Sequence, residues 1–227
     1  MSIAKRKSWG PDVQDRTTQR DLKRDFLYET AARCFTRGGY NGASLTDIAQ
    51  ELGVTKAALY YYVRSKHELF YNLHMLSLDF AEEGLSRARS EGHDGLSRLW
   101  LNNYYYILRL VASPVAGMVM TEEGALPPEL KTAVVRRRSR LEHELRALIQ
   151  QGIDDGSVGQ RDPKMAALVT VGALNWLPRW YRPGGAWSAR EVAIRMSDQL
   201  AYGLAADPAA VAALARLPQA AAAPAPD

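Results

Sequence analysis

The chain has 227 residues, 47% of them apolar, and a formal net charge of +4. That supplies enough apolar side chain for one large core or two small ones, and it excludes an intrinsically disordered chain. A single cysteine, Cys34, excludes an internal disulfide and any cysteine zinc cluster.

The charge is unevenly spread. Residues 1–66 carry 12 Lys and Arg against 7 Asp and Glu, whereas the remainder is almost balanced. A basic first third is what a surface needs to displace counterions from DNA, although a charge run also serves as a plain solvated face. The start MSIAKRKSWGPD lacks the apolar run of a signal peptide. No apolar run reaches the ~18–20 residues that span a bilayer, so a cytoplasmic protein with no membrane partner is expected.

Residues 1–19 show no periodicity and read as a disordered basic arm. The alternative is that Lys5, Arg6 and Lys7 reach a DNA minor groove. A first helix is predicted from about Asp21 to Arg37, because Leu27, Ala31 and Phe35 recur every four residues. Gly38 and Gly39 end it.

The stretch SLTDIAQELGVTKAALYYYVRSK, residues 44–66, is predicted to form two short helices around a glycine turn. Ser44 is an N-cap with Asp47 at the capping-box position. Ile48, Ala49 and Leu52 face inward, and Gly53 supplies the positive φ that ends the helix. Thr55 caps the second helix and Leu59 points inward. That leaves Thr55, Lys56, Ala57, Tyr60 and Tyr61 outward: hydroxyls, a cation and small residues suited to phosphates and base edges. The same pattern also fits an ordinary αα-hairpin. Ser65 and Glu68 form a further capping box and open the next helix.

That helix is predicted from Lys66 to about Ser90, with Leu69, Phe70, Leu73 and Phe80 at helical spacing. His67 and His74 lie on it without the further ligands a metal needs, so no metal site is expected. Further helices are predicted at about 95–111, 128–152 and 163–181, the second holding Arg136, Arg137, Arg138 and Arg140. The helix beginning at Asp162 and Pro163 is apolar on almost every side, which implies burial all round, by the core on one face and by a partner subunit on the other. Ser188 and Glu191 cap a last long helix carrying Val192, Met196 and Leu200. After Asp207 the chain becomes rich in Ala and Pro, with one short helix expected at about 209–216 and a low-complexity end beyond it. No strand, phosphate-cradling loop or nucleophile–base pair is found, so no catalytic residue, no cofactor and no enzymatic activity is predicted.

Together, Phe35, Gly39-Tyr40, Ser44, Thr46, Ile48-Ala49, Gly53-Val54-Thr55, Leu59-Tyr60, Val63, Ser65-Lys66 and Leu69-Phe70 resemble the N-terminal domain of the TetR family of bacterial repressors. Val63, where many members carry Phe, and Ala57, where many carry Gly, are its departures. The resemblance implies an all-α protein with four parts. These are an arm at 1–19, a three-helix helix-turn-helix domain at 20–66, a larger C-terminal helical domain at 67–207 for effector binding and homodimerisation, and a tail at 208–227. It implies a ligand-released repressor of double-stranded operator DNA. Ser44, Thr46 and Lys66, as matching motif positions, join Thr55, Lys56, Ala57, Tyr60 and Tyr61 as expected DNA contacts.

Residues 175–185, NWLPRWYRPGG, resemble members that regulate acyl-CoA, fatty-acid or steroid catabolism. An effector site formed by Trp100, Asn103, Tyr104, Met118, Asn175, Trp176, Arg179 and Trp180 would suit an acyl-CoA. Arg179 or the Arg136–Arg138 run would meet its phosphates. The aromatics serve equally as dimer core, and two other readings stay open. One is a repressor sensing aromatic or cationic drugs, and the other is a ligand-independent architectural DNA-binding protein.

Overall fold

The computed structural model describes the backbone of residues 16–120 and 123–220, and the side chains of 20–118 and 123–218. The basic arm therefore lies outside the residues whose side chains are described. Among the described residues the protein is helical, with one isolated β-bridge between Val158 and Ala205. The helices are α1 (Arg16–Gly42), α2 (Leu45–Glu51), α3 (Lys56–Tyr60), α4 (Lys66–Glu91), α5 (Gly95–Ala112), α6 (Pro128–Asp154), α7 (Pro163–Trp180), α8 (Ala189–Leu204), α9 (Val211–Leu214) and α10 (Leu217–Ala220). Two 3-10 turns, Ala116–Met120 and Glu123–Ala125, precede α6. Packing divides the chain into two units. The first holds residues up to Ser77 together with Ser113–Val134; the second holds Leu78–Ala112 and everything from Val135 onward.

In the first unit the predicted stripe is the core. Leu27, Ala31 and Phe35 of α1 are at most 1% exposed, as are Ile48, Leu59, Leu69, Phe70 and Leu73. Phe35 meets Phe70 edge-on at 4.9 Å. Gly39 stands at φ 67°, which breaks the regular α1 geometry before one further turn to Gly42. The Ser44–Asp47 capping box closes in both directions. The start of α4 differs from expectation. Ser65 Oγ accepts from the Glu68 N–H, but the Glu68 carboxylate accepts from Arg64 N–H rather than from Ser65. The reciprocal bond has slipped one residue outward, which still satisfies an otherwise orphaned donor.

In the second unit α5 is the central helix, packed chiefly on α8 and also on α7. Most of its residues are buried on all sides. Its first turn approaches the end of α6 so closely that a Cβ on Gly95 would lie 2.2 Å from Gly152 Cα. The turn after α6 caps α5 from a distance. Asp155 accepts from Gly95 N–H at 2.8 Å and Ser157 Oγ accepts from Leu96 N–H at 3.0 Å. Within the single chain, α5 is the helix buried nearly all round, and α7 buries one face only. On α7 only Ala167, Thr170, Leu174 and Leu177 are buried, while Met165, Leu168, Val169, Trp176 and Trp180 are exposed in the single chain. Beyond Asp207, Val211 and Leu214 are buried, so the Ala-rich segment begins with packed structure.

Candidate nucleic-acid interface and effector region

The interface is built by α2, α3 and the turn between them. Gly53, at φ 70°, reverses the chain after Leu52. Thr55 then caps α3, its Oγ1 accepting from Ala58 N–H at 3.2 Å. Leu59, 1% exposed, anchors α3 to the core. The opposite face is free. Lys56, Ala57 and Ala58 are exposed, Tyr60 is 48% exposed and Tyr61 75%. Thr46 is exposed on α2, and Ser44 is half-buried with its hydroxyl engaged by Asp47. A cleft of about 310 Å³ at the elbow is lined by Thr46, Ala49, Gln50, Gly53, Val54 and Lys56. Lys66, the last of the expected contacts, opens α4 and is half-buried.

Two clusters whose contacts no local sequence pattern announced lie in the same unit as this surface. In the first, Glu51 ends α2 and its carboxylate accepts from Arg37 at 2.8 Å and from the Cys34 thiol at 3.3 Å, with Arg33 at 3.7 Å. The Arg37 hydrogen bond holds the Glu51 carboxyl below its ordinary range. Burial and the neighbouring carboxylate push the Cys34 thiol up to about 11. The second cluster joins Tyr40 to Lys66, whose Nζ lies 4.1 Å from the Tyr40 ring centre. Positions 26 residues apart share no periodicity, so only their place in the family motif marked either residue.

The expected effector residues fall into three groups. Trp100, Asn103 and Tyr104 are buried on α5. Trp100 stacks on Tyr104 at 5.2 Å and donates its Nε1–H to Asp198 of α8 at 2.7 Å. On α7, Asn175 accepts from the Tyr106 hydroxyl at 3.3 Å, and burial raises the Tyr106 pKa. Trp176, Arg179 and Trp180 lie on the exposed part of α7, the Arg179 guanidinium 5.5 Å above the Trp176 ring. Met118 is buried within the first unit. Within the arginine-rich stretch of α6, Arg137 and Arg140 are already engaged by carboxylates. Arg137 is paired with Asp79 at 2.5 Å and Glu82 at 2.6 Å, and Arg140 also binds Glu82. Among the described residues no cluster of His, Cys, Asp and Glu is fit to hold a metal, and no helix is long and apolar enough to cross a membrane.

A capped two-helix elbow with a free, cationic and hydroxylated second helix defines a helix-turn-helix DNA-binding regulator. The comparisons agree. Residues 27–73 match the family of bacterial regulatory proteins of the tetR type, and residues 97–204 match the tetracyclin repressor-like C-terminal domain. The chain is 31% identical to the TetR family regulator PfmR of Thermus thermophilus, whose structure it fits with a TM-score of 0.68 over 78% of this chain and 97% of that one. The chain belongs to the TetR family. It is also 26% identical over 209 residues to the transcriptional repressor KstR2 of Rhodococcus jostii, covering 86% of this chain and 97% of that protein. The structure of AibR in complex with isovaleryl coenzyme A and operator DNA is similar in fold. Its TM-score is 0.70 at 24% identity, over 81% of this chain and 98% of that one.

Proposed function

We propose that this regulator is a repressor that binds its operator as a homodimer and is released by an acyl-coenzyme A. The observation carrying the DNA half is the free face of α3, with Thr55, Lys56, Tyr60 and Tyr61 around a buried Leu59 anchor. Its relatives named KstR2 are repressors, which supports the sign of regulation. The exposed apolar row Met165, Leu168 and Val169 on α7 supports dimerisation, because a soluble chain rarely leaves such a row uncovered. A two-fold dimer presents two α3 helices to half-sites ~34–36 Å apart or multiples of that.

The effector half rests on the exposed end of α7. There Arg179 lies over Trp176, beside Trp180, with Arg182 just beyond. Guanidinium groups fit the phosphates of coenzyme A, and the aromatic rings offer an apolar surface to an acyl chain. Each buried methylene contributes ~0.8 kcal/mol. Release requires only that the effector bind the released conformation more tightly than the DNA-bound one. The test is operator release by a panel of acyl-CoAs of different length and ring content, with free acids, free coenzyme A and cationic dyes as comparisons. The thioesters are expected to act at far lower concentration than either half alone. Release by dyes alone contradicts the acyl-CoA reading.

A further inference from the structure

Lys66 is an unusual first residue for a helix. The N-terminus of α4 carries the positive end of its macrodipole, which repels an ammonium. Among the described residues no carboxylate pairs with Lys66, and burial lowers its pKa. What faces it is the ring of Tyr40, 4.1 Å from Nζ. That ring is itself fixed. It stacks on Phe35 at 6.0 Å with an interplanar angle of 7°, meets Phe70 at 4.9 Å and lies 5.5 Å from the His67 ring. Phe35 and Phe70 are fully buried, so the platform is rooted in the core of the first unit. The left-handed backbone at Gly39 turns the chain so that Tyr40 folds back onto Phe35.

A cation held on an aromatic face, unpaired and beside a positive helix end, is one that an anion can complete. We propose that Tyr40 is a positioning residue for DNA binding, its ring holding the Lys66 ammonium at the start of α4 to meet a DNA phosphate. This rests on the DNA-binding reading above. The face of Tyr40 replaces the carboxylate that usually orders a lysine, and it does so without neutralising the charge the phosphate needs.

The experiment is a titration of the full chain with a mixed-sequence DNA duplex across ~50–200 mM salt, where the slope of log affinity against log salt counts the phosphates neutralised. Lys66→Gln is expected to reduce the slope by ~0.9 per subunit. Tyr40→Leu, which keeps apolar volume and removes the π face, is expected to reduce it equally. The double variant should lose no more than Lys66→Gln alone, and Tyr40→Phe should keep the parental slope. Thermal melting in parallel fixes the range where every variant is folded. If Tyr40→Leu does not fold, Tyr40→Met, unbranched and adaptable, takes its place. A Tyr40 variant that weakens binding at an unchanged slope, or adds fully to Lys66→Gln, makes Tyr40 a core residue only and overturns the proposal. An unchanged slope in Lys66→Gln overturns it too, while the parental chain's own binding keeps the DNA reading standing. A parental chain that binds no duplex overturns both.

Discussion

At the scale of single residues, the chemistry of Cys34 follows from its neighbours. Its thiol donates to Glu51, and burial together with that carboxylate raises its pKa from the ordinary 9.0 to about 11. A thiol with so raised a pKa carries almost no thiolate at neutral pH. Alkylation at pH 8 is therefore expected to be far slower in the native protein than in denaturant, and equal rates would contradict this environment. A raised folded-state pKa contributes stability that is fully present below 9.0 and lost as pH rises through about 11. The parental chain should lose more stability over that window than Cys34→Ala does, as read by denaturant midpoints; a pH-independent difference between the two would contradict it. Gly95 makes a second residue-scale case. Gly95→Ala would drive its Cβ into the Gly152 backbone, and such overpacking costs ~1–3 kcal/mol. An unchanged urea midpoint would show that α5 and α6 have room to separate.

At the scale of elements, the second half of α4 is held by charge on both sides. Asp79 and Glu82 meet Arg137 and Arg140 of α6, Arg89 meets Glu144, and Glu83 binds Arg109 of α5 at 2.7 Å. Arg137 is the centre of this ladder, its side chain only 16% exposed. Arg137→Gln leaves two carboxylates short of a partner, and a loss of about 1–3 kcal/mol is expected, between the values for exposed and buried pairs. A chemical denaturation curve indistinguishable from the parental one would contradict that. The same ladder shows where sequence reading stops. The run Arg136–Arg138 has the composition of a phosphate site, yet the carboxylate partners of Arg137 stand 55 and more residues earlier, at a distance no local pattern encodes. The capped elbow of α2 and α3 was legible because caps, glycine turn and apolar anchors all act within a few residues. The apolar surround of α7 was legible too, but which residues take the face toward α5 depends on packing between distant elements, which buries Ala167, Thr170, Leu174 and Leu177. The arginines and tryptophans at its end suit a dimer face and a ligand face alike, because composition encodes neither partner.

At the scale of the whole molecule, the proposed two-fold dimer would use the exposed row on α7 and would bring two reading helices to one operator. Light scattering at micromolar concentration is expected to give twice the chain mass. Val169→Glu, on the exposed side of α7, is expected to shift the population toward monomer without lowering helix content. A folded monomer in the parental chain would contradict the dimer. The most direct test of the central claim concerns α3. With an operator selected from a randomised duplex pool, the chain and its Lys56→Ala/Tyr60→Ala variant are titrated at matched salt and matched thermal stability. A loss of ~1–3 kcal/mol is expected for each specific contact removed. Superimposable binding curves for the two proteins would contradict it.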